Sequence, residues 1–303
     1  MGSSWPALSV MGIMFCLFLA EIPGSTQAFE DDVIGALSTT PITEGETLSD
    51  IARIYNLGYT EIRIANSDVD PWLPEEGSEV MIPNMHVLPD TSKEGIVINV
   101  PEMRMYVYDN KSAGGKVATF PISVGRQDWT TPHGEMQVSG KLESPAWYPP
   151  ASILREHAEM GEPLPRVVGP GPDNPLGKYA LLLSTKGYLI HGTNKPYGIG
   201  MRVTHGCIRM YPKHIKTLFS EVKAGVKVSV IDQAIKVGLL NGVIFMEVHP
   251  SFDENALGLA QRYAAAMNIV HGRFGDELLK MSHSRIQQMI SEQTGVPSSI
   301  GFL

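Results

Sequence analysis

His191 is followed sixteen residues later by Cys207, and Arg202, His205, Gly206 and Arg209 stand between or beside them. A thiol becomes a useful nucleophile when an imidazole takes its proton or a positive neighbour favours the thiolate. This short stretch supplies one thiol, two imidazoles and two guanidinium groups. Gly206, without a Cβ, lets the backbone approach a substrate carbonyl, so the N–H groups of Gly206 and Cys207 are candidates for an oxyanion hole. Taken singly, a cysteine is more often a small buried hydrophobe and a histidine a satisfied polar residue. Their combination in a cysteine-poor chain points instead to nucleophilic catalysis. The remaining histidines, among them His133, His157, His214, His249 and His271, show no metal-ligand spacing, so no metal and no cofactor is expected. Trp129, Trp147 and Tyr148 either line a substrate groove or pack in loops.

Elements must hold these groups in place. Apolar stretches at 180–183 and 188–191 flank Lys186-Gly187, which predicts a hairpin with His191 at the end of its second arm, a rigid place for a base. Period-two patterns at 96–100, 103–108 and 117–124, with turns at Asp109-Asn110 and Gly114-Gly115, predict a β-rich domain. After Cys207, Pro212 fits the first position of a helix carrying Ile215, Leu218, Phe219 and Val222 at helical spacing. Gly225 stops it, and 226–231 returns as a strand. Further on, 242–248 reads as a strand, and 253–267 and 276–290 as helices.

Residues 41–84 read as a small unit of their own. Ile42-Thr43 is expected to form a short strand and Glu44-Gly45-Glu46 a turn. Thr47 then caps a helix with Leu48, Ile51, Ala52 and Tyr55 on one face. A second helix fits 60–65, and 79–82 a closing strand ended by Pro83.

The chain has 303 residues, 43% of them hydrophobic and 18% charged, enough to build more than one core. A net charge of −8 disfavours nucleic acid as a partner. An apolar run at 10–20, too short to span a bilayer comfortably, precedes Thr26-Gln27-Ala28, so 1–28 reads as a secretory signal, with an uncleaved anchor as the alternative. Cleavage there leaves Cys207 as the single cysteine, in an oxidising compartment where paired cysteines would form disulfides.

The segment His191-Gly192-Thr193 with Thr204-His205-Gly206-Cys207 resembles the YkuD-type L,D-transpeptidase signature, and the likeness extends to Ile190–Asn194, to Thr131-Pro132-x-Gly134 and to Val248-His249-Pro250. Together these are similar to the ErfK/YbiS/YcfS/YnhG group, and the order of 41–84 resembles a LysM module, which binds N-acetylglucosamine-containing glycans. The architecture so implied is α+β: a signal peptide (1–28), a small βααβ LysM-like module (41–84), a β-rich, β-sandwich-like catalytic domain (95–232) and a partly helical C-terminal extension (233–303). The resemblance implies that Cys207 attacks the diaminopimelate carbonyl of a peptidoglycan tetrapeptide stem and expels D-alanine. It makes His191 the general base, with the Gly192 carbonyl orienting its ring, and gives His205 a helping or pocket-shaping part. Arg209, with Arg202 and Thr193, is expected to contact substrate. The acyl group then passes to an amine, either a lysine of the outer-membrane lipoprotein or another diaminopimelate. The alternatives are a carboxypeptidase that uses water in the same acyl-enzyme and a non-catalytic peptidoglycan-binding protein. The partners so implied are stem peptides and glycan strands, in the periplasm.

Overall fold

A computed structural model describes residues 31–109, 116–252, 257–275 and 280–303. The expected signal peptide, the turn residues Asn110, Gly114 and Gly115, and the starts of the two C-terminal helices at 253 and 276 lie outside the described residues.

The described residues open with β1 (Val33–Pro41), followed by α1 (Leu48–Tyr55), α2 (Tyr59–Ala65) and β2 (Glu79–Val87), with β1 antiparallel to β2 along its whole length. Thr47 caps α1 through a reciprocal pair with Asp50, and Leu48, Ile51 and Ala52 turn to a core shared with Ile62 and Ile82. The first strand precedes the expected Ile42-Thr43. Thr43 instead opens a turn, its N–H donating to the Glu46 carboxylate. β1 is mostly exposed and rich in small and hydroxyl residues, so it lacks the apolar alternation that marks a strand in sequence. Asn66 is buried and works as a strap, donating to the carbonyls of Ile62 and Met81 and accepting from the Met81 N–H.

The large sheet contains β3 (Gly95–Asn99), β4 (Arg104–Asp109), β5 (Lys116–Gly125), β6 (Gly134–Glu143), β7 (Tyr179–Leu183), β8 (Leu189–His191), β9 (Arg202–Thr204), β10 (Ile208–Met210) and β11 (Lys227–Ile231). Their order is β10-β8-β7-β6-β11-β3-β4-β5-β9, and β5 pairs again with β10, Ser123 opposite Arg209. The sheet therefore closes on itself as a barrel, which corrects the sandwich-like expectation. Closure depends on a three-residue strand pairing with a partner about 85 residues earlier, and neither feature leaves a periodic trace. Ile96, Ile98, Met105, Ile122, Leu181 and Ile208 fill the interior. α3 (Ala151–Glu159) lies in the long connection from β6 to β7, and α4 (Pro212–Glu221) packs Ile215 and Leu218 on the barrel core.

Beyond Asp232 the extension carries more strand than expected. β12 (Ile235–Leu240), β13 (Val243–Val248) and β14 (Ser298–Phe302) form a second sheet, covered by α5 (Leu259–Phe274) and α6 (His283–Glu292). Asn241 and Gly242, both at positive φ, make the β12–β13 turn, so Gly242 belongs to the turn and not to the strand.

Two joints lock the parts together. Lys236 from β12 lies between the Glu102 and Glu247 carboxylates, at 2.9 and 3.0 Å, and donates to the Val87 carbonyl of β2, while the Val87 N–H donates to Glu247. Beside it, Arg104 of β4 pairs with Glu61 of α2 at 2.6 Å. Breaking such a buried pair leaves an uncompensated charge at a cost of about 3–5 kcal/mol, so these contacts tie the β1–β2 unit, the barrel and the β12–β14 sheet to one another. In the second joint, the first-turn N–H groups of Tyr59 and Thr60 donate to the carbonyls of Ile199 and Gly200, on the loop between His191 and Cys207. Gly58 and Gly200 meet there so closely that a Cβ on either would overlap the other's backbone.

Candidate active site

The parallel pairing of β8 with β10 brings the two halves of the motif together. It sets Ile208 opposite Ile190 and Arg209 opposite His191, which places Cys207 beside Leu189. A separation of sixteen residues is thus closed by a loop that leaves one strand and re-enters as its neighbour. Thr204 fixes the bend by donating its hydroxyl to the Cys207 carbonyl at 2.6 Å. Gly206 sits at φ +93°, where a Cβ would lie 2.7 Å from the Tyr188 ring, so glycine is required at this position. The Thr131 hydroxyl donates to the Gly206 carbonyl and accepts from the Gly125 N–H, both at 3.0 Å, so the Thr131-Pro132 motif ties the end of β5 to the cysteine loop.

His191 is 4% exposed, and its Nδ1 lies 2.7 Å from the Gly192 carbonyl. With the Nδ1 hydrogen donated there, Nε2 is left as an acceptor. Burial, reinforced by the Arg209 guanidinium, pushes the imidazole down to about 3, with the carbonyls of Gly192 and Leu176 opposing. At neutral pH the ring is therefore uncharged and ready to take a proton. Burial raises the Cys207 thiol, against the Leu189 N–H and Arg209. The resting sulfur is protonated, so a base must act as attack occurs.

Cys207, His191, His205 and Arg209 line one cavity of about 510 Å³. Arg209 brings a mostly desolvated guanidinium whose Nε has no hydrogen-bond partner, a cation suited to a carboxylate. Trp147, Tyr148, Ile153 and Leu176, from the β6–β7 connection, supply apolar walls. Trp147 and Tyr148 thus line the cavity that holds Cys207, and Trp147 also pairs its backbone with Val168. Two expected substrate contacts lie elsewhere. Arg202 donates to the Gly125 carbonyl and stacks 4.4 Å over Phe252, and the buried Thr193 uses its hydroxyl to accept from the Lys195 N–H; neither lines the cavity. Arg202 is drawn to a ring far along the chain, and the Thr193 hydroxyl is engaged by the backbone two residues on.

His205 has surroundings that its sequence neighbours do not announce. Its Nε2 lies 3.0 Å from the carboxylate of Glu156, on α3, and that carboxylate is gripped by both terminal nitrogens of Arg126 at 2.7 and 2.8 Å. The Trp129 ring lies against the imidazole, centroid to centroid 5.2 Å. Hydrogen bonds from Arg126 and then His205 push Glu156 down to about 2, so it is anionic at any working pH. Glu156 and Arg126 escaped sequence reading because nothing in their spacing ties them to the motif. Among the described residues, His86, Glu102 and Glu247 bring metal-ligand types together, but the Lys236 ammonium already bridges the two carboxylates and none of the three lines the cavity.

Comparison with known proteins shows the family. Residues 93–230 match the YkuD family, the L,D-transpeptidase catalytic domain. The probable L,D-transpeptidase YcfS of Escherichia coli (strain K12) is 38% identical over 262 residues, 85% of this chain and 81% of that protein. The probable L,D-transpeptidase ErfK/SrfK of the same strain is 41% identical over 219 residues, 72% and 70% of the two chains. Among solved structures, the catalytic domain of the E. faecium L,D-transpeptidase aligns at a TM-score of 0.36 with 23% identity, covering 47% of this chain and all of that one.

Proposed function

Because this chain belongs to the YkuD family of L,D-transpeptidases, we propose that Cys207 attacks the diaminopimelate carbonyl of a tetrapeptide stem, with His191 as the base. The observation that carries this reading is the shared cavity: a partly buried thiol, a neutral imidazole fixed by the Gly192 carbonyl, and the underbonded guanidinium of Arg209 on the same wall. The carbonyl carbon gains the sulfur and loses the amine of D-alanine, and the thiol proton, taken by His191, ends on that amine. The N–H groups of Gly206 and Cys207 are suited to the developing oxyanion, next to a glycine that admits the substrate backbone. Arg209 holds a substrate carboxylate. In the second half-reaction an amine takes the acyl group from sulfur, either a second diaminopimelate or the lysine of an outer-membrane lipoprotein.

The βααβ unit supports a LysM-like, glycan-binding role for 41–84, and the apolar run at 10–20 followed by Thr26-Gln27-Ala28 supports export to the periplasm. The test is incubation of the protein with purified muropeptides, with and without lipoprotein, followed by mass spectrometry. A thioester on Cys207, loss of D-alanine and a new amide are expected. Tripeptide without any amide would make the enzyme a carboxypeptidase, and no thioester at all would end the proposal.

A further inference from the structure

The second half-reaction poses a proton problem that His191 is badly placed to solve. An acceptor amine arrives as an ammonium ion and must lose one proton before its nitrogen can attack. A second proton leaves as the C–N bond forms and the C–S bond breaks, and that one returns to the departing sulfur. The first must go to a base that the incoming amine can reach. His191 is 4% exposed, with Nδ1 committed to the Gly192 carbonyl and a guanidinium beside the ring, so a cationic acceptor meets both steric and electrostatic resistance there.

His205 differs in each respect. Its side chain is 22% exposed, it lines the same cavity as Cys207, and its Nε2 meets a carboxylate, held in turn by Arg126. The donation of Nε2–H to Glu156 leaves Nδ1 as the nitrogen with a lone pair. Bidentate contact with Arg126 on one side and the Trp129 ring on the other fix the aim of the carboxylate and of the imidazole. Glu156 thus relates to His205 as an orienting carboxylate relates to a catalytic imidazole, and it also stabilises the imidazolium formed when the ring takes a proton.

We propose that His205, positioned by Glu156, takes the proton of the acceptor ammonium, so that the two histidines divide the two half-reactions. His191 serves thiol attack and D-alanine departure; His205 serves aminolysis of the thioester and passes its proton to solvent. The proposal rests on the transpeptidase reading above, because it needs the thioester on Cys207.

The experiment uses the full chain with a tetrapeptide donor and two acceptors, Nα-acetyl-lysine amide and hydroxylamine. The lysine side chain is an ammonium at neutral pH, whereas hydroxylamine is largely unprotonated and needs no base to enter. Thioester formation is followed by mass spectrometry in single turnover, and transfer is followed from the preformed thioester. Glu156→Gln and His205→Gln are expected to lower transfer to the lysine amide about tenfold or more relative to thioester formation, with transfer to hydroxylamine largely retained. Melting temperatures establish that both variants are folded, and Glu156→Asp, which keeps the charge, should recover part of the lysine transfer. Equal losses with both acceptors, or a loss confined to thioester formation, would overturn the proposal. A wild-type protein that forms no thioester would instead overturn the reading beneath it.

Discussion

His191 and His205 line the same cavity as Cys207 from different surroundings. His191 closes a barrel strand, is almost fully buried, donates to a backbone carbonyl and has Arg209 for a neighbour. His205 stands on a loop, reaches solvent and is held by a carboxylate from a helix about fifty residues away in sequence. The floor of the cavity is thus built by the barrel and its mouth by the β6–β7 connection. The contrast teaches that a base for one proton already in the site can be buried, whereas a base for a proton brought in by a charged partner has to face the entrance.

The largest effect that could break this comparison is at the sulfur itself. Cys207→Ala should abolish thioester formation with the melting temperature within a few degrees of wild type; a surviving thioester would place the chemistry elsewhere. Next, His191→Gln should slow thioester formation about a hundred- to ten-thousand-fold, the usual range for a lost general base, with His205→Gln far milder in that step. A reversed order would exchange floor and mouth. Arg209→Gln should raise KM for the tetrapeptide about tenfold or more, since charge-assisted hydrogen bonds contribute about 1.5–3 kcal/mol. Its melting temperature should hold or rise, because the change removes a largely buried cation whose Nε has no partner.

The smallest effect sharpens the comparison through pH. The unfolded chain protonates His191 near 6.5 and the folded one only near 3, so stability should decline as pH falls through that window, and His191→Gln should flatten part of the slope. Burial holds His214 down to about 3 as well, so some slope will remain. Glu156 behaves as a carboxylate with a lowered folded value. Its contribution is complete above about 4.5 and is lost as pH falls toward 2, so wild type and Glu156→Gln should converge in denaturant midpoint only below 4.5.

The floor could be read from sequence and the mouth could not. Cys207, His191, Gly192 and Gly206 lie in one local signature, and the hairpin ending at His191 followed from apolar stretches on either side of Lys186-Gly187. Glu156 reaches His205 through tertiary packing, from a short helix set in a connection rich in proline and glycine, where no period marks it, and Arg126 grips Glu156 from just past the end of β5. Arg202 and Thr193, close along the chain to Cys207 and His191, do not line their cavity, because nearness in sequence does not fix the wall a side chain joins. The same limit hid barrel closure, whereas the β12–β13 hairpin had a usable signal in Asn241-Gly242.

Helix α2 begins on the carbonyls of Ile199 and Gly200, and this has a practical corollary. The catalytic segment matched at 93–230 has part of its bracing outside its own boundaries. Cutting the chain near Gly95 would strip two acceptors of their donors, remove the glycine that Gly200 rests on, and leave Arg104 without Glu61. A chimera that transplants the barrel alone would thus carry a slack linker between its base and its nucleophile. A graft must also keep Asp32, just ahead of the first strand, whose backbone bonds Leu239 and Leu88 and whose carboxylate pairs with Lys93 and Arg273.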